Sequence, residues 1–208
     1  MRLRKLGLIA ASLAVSAGFM FVSSDLAGAV GTTFRGSLQG QLSGSIAFSP
    51  ALTNTASSVP ITITISGSIS NLSSGRGLTQ GGVTITGGKM SSSVTIPAGS
   101  TCDAIDAGVP ASVNKFTYKS RPKGSAIAVS HFISRSDYWV STSPLTLQLG
   151  GVAGSHTTGS FTGRGAGYNH ADLTLDQSLA TLQAACAGAG LSSLSFTGVN
   201  GSSNFSIG

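Results

Sequence analysis

The sequence predicts an all-β fold: a two-sheet antiparallel β-sandwich, or alternatively a β-barrel, with one short helix near residues 178–186. Three observations carry this. The chain is built from small and β-favouring residues, with 29 Gly, 36 Ser and 20 Thr among 208, six Asp and no Glu. That composition is poor for helices and suits sheets joined by tight turns. Apolar residues recur at every second position in segment after segment, the period of a half-buried strand. Turn-forming residues interrupt these runs about every 8–12 residues, as in all-β sandwiches and barrels. With 40% hydrophobic residues the chain can build a core, which argues against disorder for most of its length.

The first 29 residues have the pattern of a secretory signal. Arg2, Arg4 and Lys5 form a basic start, Leu6 to Val22 carries no charge, and Ala27-Gly28-Ala29 is a small-x-small site. The alternative is an uncleaved anchor, for which this Ala- and Ser-rich stretch is short. Cleavage after Ala29 leaves 30–208 as a single domain with no later segment apolar enough to span a bilayer as a helix. The expected address is secreted: extracellular or cell envelope. Without the leader, nine Lys and Arg face five Asp, a net charge of +4. That is too thin a positive charge for nucleic-acid binding.

The elements follow in order. Phe34, Leu38, Leu42, Ile46 and Phe48 share one parity with Gly36, Gly40 and Gly44, so a long strand or a Gly-hinged pair is expected up to Pro50. Ile61, Ile63, Ile65 and Ile69 alternate with Thr and Ser in a second strand, broken by Ser73-Ser74-Gly75. Val83 and Ile85 mark a short strand, Gly87-Gly88 a hairpin, and Met90, Val94 and Ile96 the returning strand. Residues 98–112 form a loop around Cys102. Phe116 and Tyr118 give another strand, followed by a turn at Arg121-Pro122-Lys123-Gly124. Ala126 to Ile133 is apolar on both parities, the mark of a central strand covered on both faces. Further strands are expected at 138–140, 145–149, 160–162 and 173–175. Leu179, Leu182 and Cys186 recur at helical spacing behind a cap at Asp176 or Ser178, and Gly188 and Gly190 end that helix. Leu194, Phe196, Phe205 and Ile207 supply the last two strands. In an exported chain, the pair Cys102 and Cys186 predicts one disulfide, worth about 4.6 kcal/mol in the chain-entropy account. The alternative is two separate buried thiols.

Three segments carry a resemblance. They are the opening "FRGSLQGQLSGSIAFSPALTN" with the following "ITITISGSIS", the mid-chain "TCDAI", and the closing "LQAACAGAGLSSLSFTG". Together they resemble a group of exported actinobacterial proteins of unknown function, over most of the chain beyond the leader. The resemblance implies secretion and a β fold, and brings no activity or catalytic residues. Members often carry a further Cys just after the first Ile/Thr strand. Ser68 to Asn71 stand there in this chain, which removes the ground for a second disulfide.

Motifs for chemistry are sparse. No Ser has Gly at both plus and minus two, so the nucleophile elbow is missing. No P-loop is present, and the Gly-rich run at 163–169 lacks the third glycine of a dinucleotide fingerprint. Asp103 and Asp106 flank a Cys in a loop, a poor setting for paired carboxylate catalysis. His131 belongs to a core or a sheet face, and His156 to a solvent turn. His170 and Asp172 share a strand face, and such a pair could orient a base for a Ser. The His spacings match no metal-ligand pattern, and neither a metal nor a cofactor is expected.

The most distinctive surface is basic. Lys115, Lys119, Arg121, Lys123 and Arg135 occur with no acidic residue among them, and Tyr138 and Trp139 follow. Lys115, Thr117 and Lys119 oppose Phe116 and Tyr118 in parity, so one strand face is cationic. Such a face could bind an anionic envelope polymer or a sugar. It could also be a solvated edge strand whose lysines discourage pairing. The expected function is a non-catalytic binding or structural module; its partner is left open by the sequence, with a cell-wall polymer or another envelope protein as the candidates. The alternative is a secreted hydrolase with a His/Asp/Ser site of unfamiliar pattern. A subunit of a surface assembly is a third reading, and would expose an open edge strand.

Overall fold

The structure is a computed structural model, and it describes residues 32–34, 37–73, 79–102, 112–134, 137–142, 144–150, 155–161, 169–198 and 203–207. The leader, Asp103, Asp106, Arg135 and residues 163–168 of the Gly-rich run lie outside them. The fold is all-β with one short helix. Its elements are β1 (Leu38–Leu52), β2 (Ile61–Ser73), β3 (Thr79–Gln80), β4 (Val83–Ile96), β5 (Val113–Arg121), β6 (Ser130–Ile133), β7 (Asp137–Thr142), β8 (Leu145–Gly150), β9 (His156–Thr158), β10 (His170–Leu175), α1 (Leu179–Ala187), β11 (Leu191–Thr197) and β12 (Phe205–Ile207). Hydrogen bonding runs without a break through β7-β8-β10-β11-β1-β2-β4-β5-β6-β9.

This sheet turns back on itself, so that strands distant in the pairing order face each other as two layers. Phe116 of β5 stacks on Phe205 of β12, with ring centroids 6.1 Å apart. In the sheet, however, β12 adjoins β1, and β5 lies three strands beyond it. Between the layers sit Leu38, Leu42, Ile46, Ile65, Ile69, Met90, Phe132, Leu149, Leu173 and Phe196, all buried. Each comes from the inward parity of its strand, with Ser and Thr on the outward parity of β1, β2 and β4.

Pairings among β1, β11, β10 and β12 close a small four-stranded ring. The registers explain it. Gly44 faces Phe196 while Gly40 faces Phe205, and Leu175 faces Phe196 while Ala171 faces Phe205. Thus β11 and β12 follow one line between β1 and β10, interrupted between Thr197 and Phe205. Asn204 closes that interruption, receiving Asp172 N–H on its carbonyl and donating its own N–H to the Gly40 carbonyl.

Local signals erred where register decided. Pro50 does not end β1; it sits where the pairing with β11 shifts between Ala47 and Leu52, a place that asks for no regular ladder donor. Gly87-Gly88 is no hairpin. Both lie inside β4 at a register shift against β5, and a Cβ on Gly88 would come within 2.3 Å of the Thr117 carbonyl oxygen. The tight turn is instead Gly81-Gly82, with φ of +59° and +75°. The run 126–133 is not covered on both faces: Phe132 is buried and His131 exposed. His156 lies in β9 and not in a turn. Phe161 forms only an isolated parallel bridge to Phe34, which precedes β1.

The helix forms as expected. The Ser178 side chain accepts the Thr181 N–H at 3.2 Å, and Leu182 and Cys186 are buried. Leu179 is 39% exposed, because in the first turn it overhangs the stripe that Leu182 and Cys186 define. The Cys102–Cys186 disulfide is present. It ties α1 to the segment after β4, where Cys102 N–H binds the Thr53 carbonyl and Asn54 N–H binds that of Cys186.

Candidate functional site

The cationic face is built by alternation on β5. Asn114 and Phe116 point inward and are buried, while Lys115, Thr117, Lys119 and Arg121 are exposed on the other side. Tyr118 also faces inward, and burial raises its phenol above the ordinary tyrosine value, so it stays neutral. Lys123 follows in the turn that Gly124 makes at φ +84°. That turn is fastened by the Ser120 and Ser125 hydroxyls, which both donate to the Pro122 carbonyl.

Register adds a residue that linear sequence did not place here. Lys89 of β4 lies directly opposite Thr117 and is exposed. The basic row therefore reads Lys115, Lys89, Lys119, Arg121 and Lys123. Among the described residues none of these five has an ion-pair partner. Asp172 is engaged elsewhere, accepting the Gln148 amide at 2.7 Å, and Asp176 accepts the Thr197 hydroxyl at 2.8 Å.

Two concavities lie along the row. One, of about 490 Å³, takes in Lys89, Lys115 and Thr117 with serines of β1, β2 and β4. The other, of about 600 Å³, is bounded by Lys119, Arg121 and Lys123. The first opens over the Gly44–Gly67 pair, where a Cβ on Gly44 would meet the Ser66 carbonyl oxygen at 1.9 Å. The absence of side chains lets β1 and β2 approach closely there. Small hydroxyls surround the cations. One cross-strand row runs Ser195, Ser45, Ser66, Ser91, Lys115, His131 and Thr158. Its neighbour runs Ser43, Ser68, Lys89 and Thr117.

Strand order bears on the other expected residues. β5 is flanked by β4 and β6, and the sheet's edges are β7 and β9. β6 pairs with β5 only from Val113 to Phe116, so Lys115 lies inside the sheet, whereas Lys119 and Arg121 stand on a stretch of β5 that β6 does not cover. Tyr138 and Trp139 lie on β7, seven strands from β5 in the pairing order, and their side chains fall outside the described residues. The sheet does not join them to the cationic row. Arg135 is outside the described residues altogether. His170 and Asp172 do share the outward side of β10, as the parity predicts, but the Asp172 carboxylate is held by Gln148. His131 stands beside Lys115 on the outer face. Among the described residues, no group of three His, Cys, Asp or Glu is placed to hold a metal, and no helix is long and apolar enough to cross a membrane. No protein-family model, curated protein or solved structure matches the chain.

Proposed function

We propose that this is an exported module that works at or outside the cell envelope by binding, and that the outer face of β4 and β5 is its contact surface for an anionic envelope polymer. One observation carries the reading: Lys89, Lys115, Lys119 and Arg121 line adjacent strands of a single face with no carboxylate partner among the described residues. Like charges gathered this way raise the local potential and draw in a polyanion. Each exposed contact is worth only about 0–1 kcal/mol, so useful affinity requires several at once, which a polymer supplies. The leader pattern and the disulfide support an oxidising, extracytoplasmic setting.

The test is co-sedimentation of the purified protein with insoluble cell-wall material at low and high salt. Pelleting at low salt that high salt abolishes is the expected result. Pelleting that survives salt moves the contact to an aromatic site such as Tyr138 or Trp139. No pelleting at all overturns wall binding.

A further inference from the structure

The basic row has a spacing as well as a sign. Outward positions on a strand recur every two residues, about 7 Å apart. Lys115, Lys119 and Arg121 occupy three of the four outward positions from 115 to 121, and Thr117 leaves the remaining one without a charge. Lys89 fills that step from the neighbouring strand, opposite Thr117, displaced sideways by about 4.8 Å. The result is one cation per step over about 20 Å, continued by Lys123 in the turn. Both concavities lie on this line.

The face between the cations is equally specific in what it lacks. Among the described residues it presents no fully exposed aromatic side chain: Phe116 is buried, and Tyr118 is half-buried against the core and borders the second concavity. Single-stranded nucleic acids are held by stacking on aromatics, so this face is ill suited to bases. It offers the hydroxyls of Ser68, Ser91 and Thr117, which match the donors and acceptors of a polyol. A single small anion is a poor fit too, since the charges are spread along a line and none is buried.

We infer that the row takes a linear, hydroxylated polyanion lying along β5, with one acidic group for each step of about 7 Å. This rests on the reading of the face as a contact surface. The acidic group is a phosphodiester or a carboxylate, and the probes separate the two.

The experiment measures binding of glycerol-phosphate oligomers of increasing length, oligogalacturonates of equal charge, and inorganic polyphosphate as a densely charged control without hydroxyls. Affinity for the matching series should climb steeply until a chain covers four acidic groups and change little beyond. Stronger binding of the phosphodiester or of the carboxylate series identifies the acidic group. Polyphosphate binding as tightly as both at equal charge would overturn the inference.

Three variants sharpen the test. Lys89→Ser should weaken the tetramer about three- to fivefold and lower the salt slope by about one. Adding Thr117→Lys to Lys89→Ser restores a cation at the same step and should restore affinity. Adding Ser91→Lys instead restores the charge count but puts it beside Lys115, leaving the step empty, and should not. Equal rescue by both overturns the spacing inference while leaving the cationic contact surface intact. Binding of no polyanion by the unsubstituted protein overturns both. All these positions are exposed, and an unchanged unfolding midpoint shows that folding is not the cause.

Discussion

The side-chain amide of Asn204 stands in for a strand residue opposite Leu42. Its Oδ1 accepts the Leu42 N–H at 2.7 Å, and its Nδ2 donates to the Leu42 carbonyl at 3.0 Å. The same Nδ2 also reaches the Asp172 carbonyl at 3.0 Å. One amide thus bridges β1 and β10 at the point where the line of β11 is broken and β12 has not begun. Asn204→Leu keeps the bulk and leaves the buried Leu42 N–H and carbonyl without partners. The expected cost is about 3 kcal/mol, read in thermal unfolding as a fall in Tm of roughly 10 °C. A fall within the scatter of surface substitutions would mean that the strand gap is closed by other groups.

The disulfide joins one end of the sandwich. Thiol labelling of the purified protein without reductant should modify neither Cys102 nor Cys186. Replacing both by Ala should lower stability by about 2–5 kcal/mol. Protection of the α1 amides from hydrogen exchange should fall before that of β1 and β2, since the helix has few other contacts.

Phe34 closes the core from outside the regular strands. It is 2% exposed, stacks on Phe161 at 5.3 Å and is held by its own N–H to the Ser160 carbonyl. Phe34→Ala should cost about 3–5 kcal/mol, measurable by denaturant unfolding. The nearby expectation that the exported chain begins at Val30 is checked by intact mass, and a mass retaining residues 1–29 would refute it.

Two glycines should respond differently to substitution. Gly44→Ala forces a methyl against the Ser66 carbonyl oxygen, a backbone atom that cannot swing aside. It should destabilise by more than about 2 kcal/mol or prevent folding. Gly81 needs its left-handed φ but has no atom within 4 Å of a Cβ. Gly81→Asn, which tolerates that conformation, should change stability by less than about 1 kcal/mol. Comparing the two variants in the same unfolding assay separates close approach from backbone freedom.

What could be seen in the sequence was whatever is decided within a few residues. The Ile61–Ile69 alternation, the capped turn at Ser178 and the opposed parities of Lys115 and Phe116 are of this kind, and each appears where expected. What could not be seen depends on which residue lies across the sheet. Lys89 is far from Lys115 in sequence, and only the β4–β5 register sets it opposite Thr117. Asn204 looks like any loop Asn until β1 and β10 are placed on either side of it. Gly87-Gly88 was misleading for the same reason: a glycine pair signals a turn locally, but a neighbouring carbonyl at close range explains it better.

The position of β1 has a consequence for how the chain acquires its shape. β1 pairs with β2 almost at once in sequence, but its other side waits for β11 and β12, near the far end of the polypeptide. Phe34 likewise waits for Phe161. Closing such distant pairs makes assembly slow, because the entropy of the long loop is lost before the contacts form. During synthesis the first half can make no more than an open layer of β1, β2 and β4 with two bare edges and an uncovered apolar side. The native core is therefore closed only after the final strands have been made.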